Sequence, residues 1–317
     1  MKIVIVGAGA VGGYYGARLS LAGHDVSFVV RTPSSAAALQ AGISITSELG
    51  NIHLRDVRAF TNPLQAGLAD LIIIAVKLWD TEAALRNIMP IVDPETSVIS
   101  LQNGVEKDDV TAAIVGRCHL LGAVTYIVVN RDNDGVIVHS GTHKRIILGE
   151  FDGTESVRVQ EIVNALLSGG IDAESSPDIR RSTWEKFIFL ASISAVTAAT
   201  RETIGVVRSR PADRMRLQEA MCEAAAVAQA EGVAISDTFV DERMRFVDTF
   251  PPDGRSSMAN DLLRGSKLEL EWLSGAVVRR ARSFNIPTPV HAMLYAKLSP
   301  FVNGNPSHGD GPMKVPR

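Results

Sequence analysis

An α/β domain followed by an all-helical domain is the architecture predicted for this 317-residue chain. Three observations predict it. Lys2 to Val6 reads as a fully buried strand that leads straight into Gly7-Ala8-Gly9-Ala10-Val11-Gly12. Strand-like and helix-like segments then alternate for some 170 residues, as in a sheet with crossover helices. Past Ser175-Ser176-Pro177-Asp178 the strand patterns stop and helical periodicity takes over. The expected domains are therefore residues 1–177 and 178–317.

The first element is a fully buried strand over residues 2–6. A glycine pattern alone would only permit a tight turn, but strand, GxGxxG and helix in immediate succession make a dinucleotide-binding Rossmann domain the prediction. Gly7 allows the turn, Gly9 allows backbone N–H groups to approach a pyrophosphate, and Gly12 allows the helix to pack on the strand. The anion would sit at a helix N-terminus, where unpaired N–H groups and the dipole favour it.

The second strand, residues 26–30, ends in Arg31-Thr32. An acidic residue at that end would accept from a ribose 2′-hydroxyl, whereas an arginine accommodates a 2′-phosphate. Asp25 precedes the strand and is expected at its wrong end. NADPH is thus favoured over NADH.

Next, Ile43-Ser44-Ile45 and Ile52-His53-Leu54 read as a small hairpin turning at Gly50-Asn51. Asp70-Leu71-Ile72-Ile73-Ile74-Ala75-Val76 is too apolar for a solvated sheet and reads as a central strand ending at Lys77, where ligands of open α/β sheets collect. Residues 96–101 form another strand, running into Gln102-Asn103-Gly104. Three shorter strands, expected to be antiparallel, follow at 126–129, 136–139 and 145–148, with Gly135 and Gly141 as turn residues.

Asp178, placed after Pro177, is the expected cap of the first helix of the second domain. Residues 187–200 carry no charge, so that helix should be buried on most sides. Helical patterns extend to about Lys297, interrupted by a loop at Pro251-Pro252-Asp253-Gly254, and a Gly/Pro/Ser-rich tail is expected to fray from Asn303.

A net charge of −3 gives no electrostatic footprint for nucleic acid or an anionic membrane. No apolar stretch is long enough to span a bilayer, and the apolar start is broken by glycines in a way that a signal segment is not. Cys118 and Cys222 lack ligand or disulfide spacing and are expected to be small core residues of a cytoplasmic protein. No His, Cys or carboxylate cluster has metal-ligand spacing.

Lys186 stands out among residues that could carry chemistry, since it enters the uncharged helix with Trp184 and Phe187 beside it. Desolvation would make its ammonium a better proton donor; a lysine can also snorkel its amine to solvent. Glu269 and Glu271 are expected in a further helix, Leu268-Glu269-Leu270-Glu271-Trp272-Leu273, preceded by Ser256-Ser257-Met258.

The ordered set GxGxxG, Arg31, Val76-Lys77, Gln102-Asn103-Gly104, Trp184-Glu185-Lys186, Ser256-Ser257-Met258 with Asp261, and Glu269 resembles the ketopantoate reductase family along nearly the whole chain. The resemblance implies NADPH-dependent reduction of a 2-oxo acid. It implies Lys186 as general acid, Asn103, Ser257 and the catalytic residue Glu269 as contacting the substrate or organising the site, and Lys77 and Asn103 as lying near the nicotinamide end of the cofactor. It also allows a homodimer.

Three positions depart from the family pattern. Four and eight residues after its lysine the family helix usually carries asparagines; here those substrate-binding positions are Leu190 and Ser194, and Leu268 stands where a threonine is common. A site that loses an amide loses discrimination for a substrate hydroxyl, so a more apolar 2-oxo acid is the alternative substrate. A non-catalytic NADP(H)-binding regulator and an NAD-linked dehydrogenase are the competing classes.

Overall fold

In the computed structural model, which describes residues 1–304, strand β1 (Lys2–Val6) is buried from Ile3 onward. Its period-two alternation serves two cores. Ile3 and Ile5 pack with Tyr14, Tyr15 and Leu19 of helix α1 (Ala10–Leu21) and with Phe28 of β2 (Asp25–Val29). Val4 and Val6 face the opposite core. Helix α2 (Pro33–Gln40) starts with proline in its first turn and is capped by Thr32, which accepts from the Ser35 N–H.

The predicted hairpin is present as β3 (Ile43–Ser47) and β4 (Ile52–Leu54), with Gly50 at φ +106° in the turn. Strand β5 (Arg58–Phe60) then leads to β6 (Leu71–Ile74), α3 (Thr81–Ile88), β7 (Ser97–Ser100) and α4 (Lys107–Val115). Leu85 and Ile88 of α3 and Val115 of α4 cover Val4, Val6, Ile72, Ile74 and Val98, which makes the sheet doubly wound.

The three short strands expected next are two long ones, β8 (Leu120–Arg131) and β9 (Ile137–Gly149), paired antiparallel. Gly135 makes the turn at φ +82°. Gly141 does not: it lies inside β9, where pairing jumps from Ile127 with Lys144 to Val129 with His139, a bulge. The bulge divides β9, whose first half pairs with β3 and whose second half pairs with β10 (Asp172–Ser175), which follows α5 (Val157–Ser168).

The strand order is β4-β3-β9-β8-β7-β6-β1-β2-β5. Strands β2 and β6 flank β1 in parallel, so the chain reverses direction across the sheet at β1. A crevice at the carboxyl ends of strands forms at such a switch point.

Chain contacts divide the molecule into two units, Met1–Thr183 and Trp184 onward. Helix α6 (Ile179–Thr200) runs across that division. Asp178 caps it by accepting from the Arg181 N–H at 2.9 Å.

The second unit is helical: α7 (Ile204–Ser209), α8 (Pro211–Ala230), α9 (Phe239–Thr249), α10 (Ser257–Leu263), α11 (Ser274–Arg282) and α12 (Pro289–Leu298). Residues 191–199 are buried without a break, as the uncharged run predicts. The loop at Pro251–Gly254 docks on the start of α7, where Ile204 and Gly205 N–H groups donate to Gly254 and Pro252 carbonyls.

Other expectations are corrected. Leu268–Leu273 is no helix: only Leu270–Trp272 make a 3-10 turn, and Leu273 breaks away from it at φ −105°, ψ −98° before α11. Cys118 and Cys222 are exposed rather than in the core, in the turn before β8 and on the outer face of α8. Fraying from Asn303 is not seen at its start: Leu268 donates to Val302, and Gly304 sits so close to Gly265 that a Cβ would come within 2.5 Å of its carbonyl. The rest of the predicted tail lies outside the described residues. Among those residues, no helix is long and apolar enough to cross a membrane.

Candidate functional site

The turn after β1 uses its three glycines differently. Gly7 adopts φ +92°, and a Cβ there would lie 2.6 Å from Val76 Cγ1. At Gly12 a Cβ would lie 2.1 Å from the Gly7 carbonyl and 3.0 Å from Ala75 Cβ, so only glycine lets α1 approach the strands. Gly9 has neither constraint. Its φ is −67°, it stands at the cap of α1, and a Cβ would meet nothing within 4 Å among the described residues.

The space over Gly9 is therefore open, and α1 begins there without a side-chain cap or an acidic residue in its first turn. Ala8, Ala10 and Val11 are half-buried around it. Such an end can hold the diphosphate of a dinucleotide through backbone N–H groups. Arg131, not singled out by sequence reasoning, donates to the Ala8 carbonyl at 2.7 Å. It closes a strand expected to stop at Val129, which hides it from a motif search.

Arg31 follows β2 and is exposed, with its guanidinium 3.1 Å from Asp80. Asp25 begins β2, opposite the end that carries Arg31, and pairs with Arg58. Lys77, also exposed, holds its Nζ 5.6 Å from the Trp79 ring centre. Asn103 is half-buried in the segment after β7.

Gln102, buried beside Asn103, donates to the Val76 carbonyl at 2.8 Å and to Thr81 Oγ1 at 2.7 Å, and accepts from the Ser100 hydroxyl at 2.9 Å. It ties the segment carrying Lys77 to the one carrying Asn103, a positioning role visible only once β6 and β7 are known to be neighbours.

In the second unit, Lys186 is half-buried at the entry of the uncharged part of α6. Trp184 and Phe187 beside it are buried edge to face, 5.4 Å between ring centres, and Arg280 lies 6.0 Å over Trp184. Leu190 and Ser194, one and two turns on, share its side of the helix. Leu190 is half-buried, whereas Ser194 is 0% exposed and its Oγ has no hydrogen-bond partner among the described residues.

Thr197 continues that side, and its hydroxyl meets Ser256 Oγ at 2.8 Å. Ser256 caps α10 by accepting from Ala259 N–H, so Ser257, exposed in the first turn of α10, is tied to the α6 face through its neighbour. Glu269, expected on a helix, instead precedes the 3-10 turn and is buried at 8% exposure. Glu271 accepts from the Tyr295 hydroxyl, which raises that phenol's pKa, and from Arg279.

Among the described residues no group of three or more His, Cys, Asp or Glu could hold a metal ion.

Residues 3–153 match the family described as Ketopantoate reductase PanE/ApbA, and residues 178–301 match its C-terminal counterpart, Ketopantoate reductase PanE/ApbA C terminal. A 2-dehydropantoate 2-reductase of Halobacterium salinarum is 31% identical over 92% of this chain and 95% of its own length. An uncharacterized oxidoreductase of Bacillus subtilis is 29% identical over 94% of this chain and 98% of its own length. The crystal structure of 2-dehydropantoate 2-reductase from Geobacter metallireducens superimposes with a TM-score of 0.87 at 30% identity, covering 95% of this chain and 99% of that one. Both halves of the chain being matched, and relatives being aligned almost end to end, this oxidoreductase belongs to the ketopantoate reductase family.

Proposed function

We propose that the protein reduces a 2-oxo acid to a 2-hydroxy acid with NADPH, with 2-dehydropantoate as the leading substrate and pantoate as its product. The observation that carries this reading is Lys186, a half-buried amine at the mouth of a helix that is uncharged from 187 to 200. The open space over Gly9 fits a dinucleotide diphosphate, and Arg31 fits an adenosine 2′-phosphate. A bound reduced nicotinamide supplies hydride to C2 of the substrate.

Lys186 stabilises the negative charge that develops on the C2 oxygen and delivers the proton to it. Ser257 holds the substrate carboxylate through its hydroxyl. Asn103 orients the substrate and the nicotinamide end of the cofactor, and Lys77 binds that same end of the cofactor. Glu269 organises the site beside Lys186.

The test is NADPH oxidation with 2-dehydropantoate, pyruvate and 2-oxoisovalerate, repeated with NADH. Lys186→Ala is expected to lower kcat by about 10²- to 10⁴-fold, the usual worth of a positioned acid, with NADPH affinity nearly unchanged. Normal turnover in that variant overturns the assignment.

A second reading is favoured by Leu190. An apolar side chain there cannot pair with a substrate hydroxyl, which supports a 2-oxo acid with an apolar side chain. The same panel decides: a kcat/KM for 2-oxoisovalerate well above that for 2-dehydropantoate reassigns the substrate and leaves the chemistry in place.

A further inference from the structure

Asp80 stands at the cap position of α3, yet its carboxylate makes no capping hydrogen bond. It reaches instead to Arg31, 49 residues earlier, at 3.1 Å. The sheet order gives this pair its meaning. Arg31 follows β2 and Asp80 follows β6, the two strands that flank β1, so the ion pair spans the end of the strand that runs into the glycine loop. A carboxylate in this region is what an enzyme selective for the unphosphorylated cofactor uses to accept from the ribose 2′-hydroxyl. Here it comes from the segment after β6, where a search along β2 cannot find it.

We propose that Asp80 is a specificity-determining residue that opposes the 2′-phosphate. Its carboxylate competes for the Arg31 guanidinium, repels the phosphate dianion, and accepts from a 2′-hydroxyl when that phosphate is missing. The protein then separates phosphorylated from unphosphorylated dinucleotide less sharply than Arg31 alone would make it. This rests on the assignment of Arg31 to the 2′-phosphate under the proposed function. With the Arg31 side chain 81% and that of Asp80 36% exposed, the ion pair itself contributes little to folding, so its removal is read in ligand binding rather than in stability.

The experiment is calorimetric titration of the full chain with 2′,5′-ADP and with 5′-AMP, two adenosine fragments that differ in the 2′-phosphate and require no turnover. Asp80→Asn is expected to tighten 2′,5′-ADP by about fivefold to tenfold, the size of one partly screened charge repulsion. Affinity for 5′-AMP should stay the same or fall. Asp80→Ser, which removes the charge while keeping a good capping residue, should do likewise, and a thermal melt of each variant reports the fold.

Unchanged affinities in both variants, or weaker 2′,5′-ADP binding, overturn the proposal. Arg31→Ala separates the two levels. If it abolishes the preference for 2′,5′-ADP while the Asp80 variants change nothing, only the role of Asp80 falls. If it leaves the preference intact, the reading of Arg31 fails and the role of Asp80 fails with it.

Discussion

Four hydroxyls on α6 show what is unusual about a fifth. Ser192, Thr197 and Thr200 each donate to the carbonyl four residues back, as does Thr183, but Ser194 Oγ pairs with nothing among the described residues although it is fully buried. An unpaired buried hydroxyl forfeits its hydration without return. Ser194→Ala is therefore expected to stabilise the protein by about 1 kcal/mol, read as a higher urea midpoint at unchanged slope. The companion position tests selectivity. Leu190→Asn restores an amide to the Lys186 face and is expected to raise kcat/KM for 2-dehydropantoate relative to 2-oxoisovalerate by at least about tenfold. An unchanged ratio would mean that Leu190 takes no part in choosing the substrate. Both positions are marked by the sequence as departures, but which of them is buried emerges only from the packing of α6.

At the scale of elements, the β1–loop–α1 unit makes separable predictions about its glycines. Gly12→Ala forces a Cβ into the Gly7 carbonyl, a backbone atom that cannot yield, and should cost several kcal/mol of stability, on the order of the larger overpacking penalties. Gly9→Ala meets no atom at an ordinary φ, so its melting temperature should change little while dinucleotide affinity falls about tenfold or more as the Cβ enters the anion's space. Equal losses of stability in the two variants would show that Gly9 is a packing residue like Gly12.

Helix α12 has a different sensitivity. Glu223 accepts from the Val290 and His291 N–H groups at its start, and the His291 ring is fully buried against the Ala220 carbonyl and Ser274 Oγ. Burial lowers the His291 pKa from 6.5 to about 4. Below 6.5 the unfolded chain therefore binds the proton that the folded one refuses, and stability falls as pH drops from about 6.5 to 4, by roughly 3 kcal/mol at most. Glu223, whose pKa burial raises, opposes this loss as it protonates. Urea melts across that window should show a shallower pH slope for His291→Leu than for the unaltered chain, and identical slopes would exclude the histidine as the cause.

Legibility at this scale follows the strength of the periodic signal. Buried apolar runs such as β1, β6 and β7 are plain in the sequence. The three-residue β5 and the polar edge strand β10 carry too short or too hydrophilic a pattern. Strands β8 and β9 look interrupted because the bulge at Gly141 shifts their alternation. Around Glu269, closely spaced leucines imitate a helix that the backbone at Leu273 breaks.

Across the whole molecule, the architecture is legible because each level of the sequence agrees with it: GxGxxG follows a strand, apolar runs alternate with helical patterns, and a helical run uncharged from 187 to 200 lies in the second unit. The partners at and beyond the strand ends are not, since Asp80, Gln102 and Arg131 acquire meaning only when strand order brings distant segments together. Charge makes the same point. Under the proposed function a net charge of −3 would repel the anionic cofactor, so attraction would have to come from local cations, and Arg31, Lys77 and Arg131 all follow or close the carboxyl ends of β2, β6 and β8. The two origins respond to salt with opposite signs. Salt would relieve repulsion by the net charge and tighten binding, but it weakens attraction by a local cation cluster as the Debye length falls from about 10 Å at 0.1 M to about 3 Å at 1 M. NADPH Kd measured by fluorescence titration is thus expected to rise several-fold over that range, with a flatter dependence in Arg131→Ala. An affinity that improves with salt would place control in the net charge and remove these three residues from the account of cofactor binding.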